Sequence, residues 1–128
     1  MDATSNSLNW FEIPATDMKR AKKFYQTVFD LKKMEEMKMD NILMAFFPWT
    51  PGNGKATGAL VTSKEPKPAK TSGPVIYLNA DPDLKKALAK VAKAGGKVLV
   101  PKTQIGEFGF MACFIDSEGN RMAMHSNK

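Results

Sequence analysis

The sequence predicts an α+β fold of two similar modules, each with the element order βαβββ, whose strands form a curled mixed sheet. The first observation is a repeat: residues 17–21 read Asp-Met-Lys-Arg-Ala, and residues 83–87 read Asp-Leu-Lys-Lys-Ala. The second is that each copy follows a short apolar run and opens a stretch with apolar residues at helical spacing. The third is that strand-like segments follow both helices. A shared concave surface between two such halves is the natural place for a ligand.

The first module is predicted to span about residues 8–62 of a single domain, 1–128. Its opening strand covers residues 8–13, and Asp17 then caps the helix by accepting hydrogen bonds from the first turn. The apolar helix face is predicted from residues spaced three and four apart: Ala21, Phe24, Tyr25, Val28 and Phe29. The remaining strands are predicted at residues 32–38, 42–49 and 56–62, with a turn at 51–54.

The second module repeats this order over about residues 73–125, after a polar linker at about 63–72 that contains two prolines and three lysines. Asp83 is the predicted cap of a helix over residues 83–94, which Gly95-Gly96 ends because glycine adopts the left-handed conformation without steric cost. Its strands are predicted at residues 74–79, 97–101, 108–115 and 121–125, and residues 116–120 form the tight turn of a final hairpin.

The composition is that of an ordinary soluble globular chain, with 43% apolar and 25% charged residues. No apolar stretch approaches the ~18 residues needed to cross a bilayer. The polar N-terminal residues 1–7 carry no secretion signal. The single cysteine, Cys113, excludes an intrachain disulfide, so we expect a cytoplasmic protein.

The net charge is +6, and much of it is predicted on the outward faces of the two helices. Eight basic residues contribute: Lys19, Arg20, Lys22, Lys23, Lys85, Lys86, Lys90 and Lys93. Such a patch could bind a polyanion, but charge opposite an apolar stripe is also the ordinary solvated face of a helix. No aromatic residues interleave with these lysines to stack bases. We therefore expect neither nucleic acid nor membrane as a partner.

Three stretches resemble the vicinal oxygen chelate superfamily, the group of glyoxalase I, bleomycin-resistance proteins and extradiol dioxygenases. Residues 10–17, followed by Ala21 and Phe24-Tyr25, resemble its opening strand and helix. Residues 58–61 resemble the strand that closes the first module. Residues 114–120 resemble the final hairpin, although Ser117 replaces the usual proline. The resemblance covers roughly residues 8–125 and implies the glyoxalase/bleomycin-resistance/dioxygenase fold, in which two modules surround a cleft, and often a homodimer.

For metal-dependent members, the resemblance implies one divalent ion held by His, Glu or Asp from strands of both modules, where it acts as a Lewis acid. The matching positions fall at Trp10, near Val75, at Ala123 and within residues 58–61, none of which offers a carboxylate or imidazole. A register slip of two residues would bring in Glu12, Tyr77 and His125. Because the chain has one His and one Cys, no two-His site can form within it. We expect no metal and no other cofactor, and the alternative is a divalent metal shared across a dimer.

The cleft is therefore expected to be mostly apolar, with the few polar groups that small-molecule sites use for orientation. The predicted ligand-binding residues are Trp10, Glu12, Phe46, Tyr77, Phe110 and His125. The catalytic residues are unknown, and Glu12 and His125 are the only candidates, Glu12 either as a general base or as the partner of a ligand amine. Each residue also has a structural interpretation: Trp10 and Tyr77 as packing residues, Glu12 as a rim residue, and His125 as an exposed terminal residue.

These observations favour a metal-free protein that binds a small, mostly apolar organic molecule without transforming it. The runner-up is a metal-dependent lyase, isomerase or dioxygenase of the glyoxalase type. A third hypothesis is an interaction module whose lysine-rich helices bind a polyanion in a salt-sensitive manner. No nucleophile with an adjacent base is recognisable, so no catalytic triad is predicted.

Overall fold

The computed structural model describes residues 3–4, 10–50, 54–64, 67–71, 74–107 and 109–128. The first module contains β1 (Trp10–Pro14), α1 (Met18–Phe29), β2 (Glu36–Met39), β3 (Ile42–Phe46) and β4 (Thr57–Thr62). The second contains β5 (Tyr77–Asn79), α2 (Lys85–Leu88), β6 (Lys97–Gln104), β7 (Phe110–Ile115) and β8 (Arg121–Ser126). Within the described ranges, neither helix has the length and apolar character needed to cross a membrane.

The strands form two four-stranded mixed sheets, one in each module. The strand order is β1-β4-β3-β2 in the first sheet and β5-β8-β7-β6 in the second. In both sheets the first strand of the module runs parallel to the last, and the other pairs are antiparallel. The two modules therefore share element order and sheet topology, which confirms the predicted two-module fold.

Several predicted bounds differ from those observed. The strand predicted at 42–49 ends at Phe46, and β6 continues to Gln104 through two register shifts rather than ending at residue 101. Parts of other predictions lie outside the described residues: positions 8 and 9 of the first strand, positions 51–53 of the turn, positions 65, 66 and 72 of the linker, and Phe108.

The second helix is much shorter than predicted. Only Lys85–Leu88 is α-helical, and residues 89–95 continue as turns. The N-cap position falls at Leu84, which makes no side-chain cap bond, so the prediction of Asp83 as the cap was wrong, although its carboxylate accepts a hydrogen bond from the Lys85 amide at 2.9 Å. The apolar residues at helical spacing that follow the second copy of the repeat nevertheless share one buried face, because Leu84, Ala87 and Val91 are all buried.

Helix α1 lies on the core side of both modules. Asp17 caps it as predicted, accepting a hydrogen bond from the Arg20 amide at 3.0 Å. Its buried side chains join one core cluster with residues of both sheets, including Ile13, Leu60 and Phe114. The ring of Phe24 stacks on Phe114 with centroids 6.1 Å apart. One apolar core therefore holds the two sheets together, and the opposite side of each sheet, which we call the open face, points away from it.

Equivalent residues of the two modules can be identified from the strand register. The Ala15 amide donates to the Val61 carbonyl at 2.8 Å, and the Ala80 amide donates to the His125 carbonyl at the same distance. Glu12 pairs with Ala59, as Tyr77 pairs with Ala123. Glu12 and Tyr77 therefore occupy equivalent positions. The second module has one more residue between its first strand and the start of its helix than the first module has. An alignment that matches Asp17 with Asp83 therefore displaces β5 relative to β1 by one residue.

The turn at residues 116–120 joins the modules by buried hydrogen bonds. The carboxylate of Asp116 accepts from the Tyr25 hydroxyl at 2.7 Å and from the Asn120 side-chain amide at 2.9 Å, and that amide also donates to the Pro14 carbonyl. Burial raises the pKa of Asp116, although the hydrogen bonds from Asn120 and Tyr25 oppose this effect. Burial and the nearby Asp116 carboxylate hold the pKa of Tyr25 well above its ordinary value.

Glu118 makes a second connection from the same turn. Its side chain is 0% exposed and accepts hydrogen bonds from the amides of Thr16 and Asp17, both at 2.7 Å, and from Nε of Arg20 at 2.6 Å. Burial opposes ionisation, but these hydrogen bonds outweigh it and lower the pKa of Glu118. The carboxylate thus satisfies free amides at the start of α1, where a helix has no internal acceptors.

We expect Glu118→Gln to lower the free energy of unfolding at pH 7 by about 1–3 kcal/mol, because the amides of Thr16 and Asp17 and the Arg20 guanidinium lose their charged acceptor. The pKa of Glu118 is lower in the folded protein than its unfolded value of 4.5, so its stabilisation is fully present above that pH and is lost as pH falls through the folded pKa. The difference between wild type and variant in urea unfolding should therefore shrink in acid. Asp116 has the opposite pH dependence, but it is present in both proteins and cancels in the difference.

Glu35→Gln is the matched control, since Glu35 pairs with Lys33 at an exposed position. We expect this change to stay within about 0.5 kcal/mol. Equal effects of the two substitutions would show that the Glu118 connection contributes nothing specific.

Candidate functional site

Five of the six predicted ligand-binding residues lie on the open faces of the sheets. In the first sheet, Trp10 and Glu12 on β1 share a face with Phe46 on β3, because the register pairs Glu12 with Ala59 and Ala59 with Phe46. In the second sheet, Tyr77 on β5 and His125 on β8 share the open face. The buried open-face residues Ala59 and Ala123 lie outside the main core cluster, which agrees with this assignment.

Phe110 is the exception. The register places Met111 opposite His125 and Phe110 opposite Ser126, so Phe110 lies on the core side of its sheet. Its ring packs against the core cluster and carries the Lys102 ammonium 4.4 Å from its centroid. The open face at this end of β7 instead carries Met111 and Cys113. A shift of one position moves every side chain of a strand to the other face of the sheet. Because residues 110–115 are all apolar, the sequence did not indicate which alternate residues face the core.

Trp10 contacts both Glu12 and Phe46. The indole Nε1 of Trp10 donates to the Glu12 carboxylate at 3.3 Å, and the rings of Trp10 and Phe46 meet edge to face with centroids 5.9 Å apart. Trp10 remains 39% exposed despite these contacts. The open face of the first sheet therefore presents an aromatic surface next to a carboxylate.

Tyr77 and His125 belong to the other sheet and occupy different register positions. Tyr77 pairs with Ala123, and His125 pairs with Asn79. Tyr77 is 54% exposed, whereas His125 is half-buried beside Gly109. A β-carbon at Gly109 would lie 3.2 Å from the His125 imidazole Nε2, and φ there is +91°. Glycine is required there mainly because the same β-carbon would clash with the Ser126 carbonyl oxygen and because φ is positive.

The donor set does not suit the metal site that the family resemblance implied. The positions matched to ligands carry Trp10, Val75 and Ala123, and β4 supplies no carboxylate or imidazole. Across the part of the chain that the structure describes, no three His, Cys, Asp or Glu side chains lie close enough together to hold a metal ion. The register slip also fails to assemble one, because Tyr77 lies beside Ala123 and not beside His125.

Two cavities in the described part of the chain are lined both by β1 and by strands of the second module, at the junction between the modules. The first has a volume of about 270 Å³ and mostly apolar walls that include Ile13, Ile76 and Met122. Its polar and charged lining residues are Glu12, Lys67, Asn120 and Arg121. Glu12 therefore belongs both to the aromatic surface around Trp10 and to a cavity built from both modules and their linker.

The second cavity, of about 450 Å³, lies at the opposite end of β1, and none of the described residues that line it is charged. The first module and its loops supply Phe11, Phe29, Leu31, Phe47, Pro48, Ala56 and Thr57, and β5 supplies Tyr77, Leu78 and Asn79. Sequence reasoning identified only Tyr77 among these residues. The others could be found only by knowing that β1 and β5 come together at the junction, which no local pattern indicates.

Comparison with known families and proteins gives a consistent result. A family model described as the glyoxalase/bleomycin resistance protein/dioxygenase superfamily matches residues 7–124. A glyoxylase-like domain-containing protein from Didymella fabae is 34% identical over 122 residues, which covers 91% of both chains.

Solved structures with this fold share little sequence with the chain. A glyoxylase/bleomycin resistance protein/dioxygenase domain from Frankia sp. EAN1pec has a TM-score of 0.68 at 14% identity, covering 99% of this chain and 100% of the other. The trypanothione-dependent glyoxalase I of Leishmania major has a TM-score of 0.66 at 19% identity, with 96% and 88% covered. A V278E mutant of glyoxalase I from Zea mays has a TM-score of 0.65 at 16% identity, and the 93% of this chain that matches spans only 45% of the maize chain.

The donor chemistry predicts how the protein responds to metals. We expect Ni²⁺, Zn²⁺, Mn²⁺ and chelator to leave the Tm unchanged, and we expect elemental analysis of the purified protein to find no stoichiometric metal, because the cleft positions are apolar. His125→Ala is the control variant. Stoichiometric metal that raises the Tm of the wild type and is lost from this variant would contradict the prediction and would identify His125 as a ligand.

Proposed function

This chain belongs to the glyoxalase/bleomycin resistance protein/dioxygenase superfamily, and from that premise we propose that it binds a small, mostly apolar organic molecule in the cleft between its modules, without a metal ion. The observation that carries the proposal is the position of Glu12. Its carboxylate contacts the indole of Trp10, and the same side chain lines the 270 Å³ junction cavity.

The surroundings of Glu12 indicate the chemistry of the ligand. Apolar walls favour a largely apolar molecule through burial of its surface, worth roughly 25 cal/mol per Å². The exposed face of Trp10 can stack on a planar group or receive a cation. The Glu12 carboxylate would pair with a protonated amine. Lys67 and Arg121 also line the junction cavity. We therefore expect an amine to place its ammonium group on the Trp10 side of Glu12, where an aromatic amine should bind better than an uncharged molecule of the same shape.

The residues support binding better than catalysis. Glu12 and His125 lie on different sheets at register positions that are not equivalent. The residues paired directly with them, Ala59 with Glu12 and Asn79 and Met111 with His125, are not nucleophiles. The alternative, a metal-dependent lyase, isomerase or dioxygenase, requires a donor set that the positions Trp10, Val75 and Ala123 do not supply.

A homodimer is part of the proposal. An apolar row crosses the open face of the first sheet from Trp10 through Met44 to Met37 and Met39 on the edge strand β2, and the last two side chains are exposed. An exposed apolar surface of this kind favours association with another protein surface. Burial against a second copy would also enclose the Trp10 surface and exclude water from the ligand.

We expect sedimentation equilibrium to give the mass of two chains, and Met39→Lys to shift the protein toward the mass of one chain, because a charge would enter the apolar contact. Lys38→Met, at the exposed neighbouring position on the other face of β2, is the control and should leave the mass unchanged. A wild-type protein with the mass of one chain at high concentration would contradict the dimer.

We expect 2-(aminomethyl)naphthalene to bind, and Glu12→Gln to weaken its binding about tenfold, which corresponds to about 1.4 kcal/mol. The physical reason is the loss of the carboxylate that pairs with the ammonium group. Isothermal titration calorimetry at pH 7 measures both affinities. Trp10→Leu should also weaken binding, because the stacking surface is removed.

Trp49→Leu is the matched control for the second tryptophan, whose indole bonds instead to the Lys55 carbonyl and lies outside the junction cavity. The affinity of the Trp49→Leu variant for the amine should equal that of the wild type. Binding of the amine that neither Glu12→Gln nor Trp10→Leu reduces would refute the proposed site. If no member of a broad panel of planar amines raises the Tm, the proposed function is refuted.

A further inference from the structure

The duplication relates the two junction cavities to each other. Glu12 and Ile13 line the first cavity, and their equivalents Tyr77 and Leu78 line the second. Arg121 in the first cavity is likewise equivalent to Thr57 in the second. Arg121 lies two residues before the partner of Tyr77, and Thr57 lies two residues before the partner of Glu12. Each cavity is therefore the counterpart of the other at the opposite end of the junction, with different side chains.

We infer that the second cavity is a separate binding site for an uncharged aromatic molecule with a hydroxyl or carbonyl group. Its volume of about 450 Å³ lies within the range of about 300–1,000 Å³ typical of small-molecule sites. Aromatic and aliphatic side chains form most of the wall, and the rings of Phe11 and Phe47 lie 5.5 Å apart. This inference does not depend on the proposed amine site, because Glu12 and Trp10 do not line this cavity.

The polar groups of the cavity are neutral and available. The Tyr77 hydroxyl makes no hydrogen bond within the described part of the chain, so it can donate to a ligand oxygen or accept from a ligand hydroxyl. Asn79 uses its side-chain oxygen to accept from the Asp81 amide at 2.9 Å, which leaves its NH₂ group for a ligand acceptor. The Thr57 hydroxyl donates to the Phe47 carbonyl at 3.3 Å and keeps its lone pairs.

The walls also determine what the site rejects. A carboxylate or ammonium group in this cavity would lose its hydration without gaining an opposite charge, which is strongly unfavourable. The first cavity, with Glu12, Lys67 and Arg121, has the charges that the second lacks. The duplicated junction thus provides one charged site and one neutral site.

The test uses 2-naphthol and its anionic analogue 2-naphthoate as probes at pH 7, with isothermal titration calorimetry and amide chemical shifts. We expect 2-naphthol to bind at least tenfold more tightly than 2-naphthoate and to shift the amides of Leu78 and Asn79. Ala56→Phe, which places a large side chain in the wall of this cavity, should abolish binding, and Tyr77→Phe should weaken it several-fold.

Ala69→Phe is the matched control, because Ala69 is also exposed and lines the charged cavity. It should leave 2-naphthol binding unchanged and weaken binding of the naphthyl amine. The amide shifts locate the probe even if a variant fails to fold. The inference is overturned if 2-naphthol does not bind, if it binds no better than 2-naphthoate, or if it shifts the amides of Glu12 and Ile76 instead of those of Leu78 and Asn79.

Discussion

The structure depends on one turn, residues 116–120, whose hydrogen bonds link the end of the second module to the start of the first. Two carboxylates from this turn, Asp116 and Glu118, accept hydrogen bonds from Tyr25, Asn120, Arg20 and the amides of Thr16 and Asp17 just before α1. Buried charged acceptors are costly unless satisfied, so these bonds specify one relative position of turn and helix. With Phe24 stacked on Phe114 below them, they fix the junction along which both cavities lie.

That junction explains how one duplicated fold can present two different chemistries. Equivalent backbone positions carry Glu12 in one module and Tyr77 in the other, and Arg121 in one and Thr57 in the other. The backbone geometry is repeated, while among the described residues charged side chains line only one of the two cavities. Function in such a fold therefore follows from the side chains at a few junction positions and not from the fold itself.

Features encoded by local patterns were predictable, and features set by long-range pairing were not. The repeat, the cap at Asp17 and the core stripe of α1 follow from residue spacing and side-chain chemistry. The short α2 was missed because its stripe continues through turns that preserve the same buried face. The face of Phe110 depends on the register of β7 against β8, and the members of the second cavity depend on the approach of β5 to β1. No local window of the sequence contains that information.

The absence of suitable donors at the family's ligand positions changes what the cleft can do physically. A metal ion would provide a fixed positive charge to stabilise developing negative charge on a substrate. Trp10, Val75 and Ala123 provide instead contact area and exclusion of water, which contribute to affinity but do not favour a transition state over a ground state. In the proposed binding function, the carboxylate of Glu12, held by the Trp10 indole, would orient a bound cation. Selectivity would then come from charge and shape at these positions.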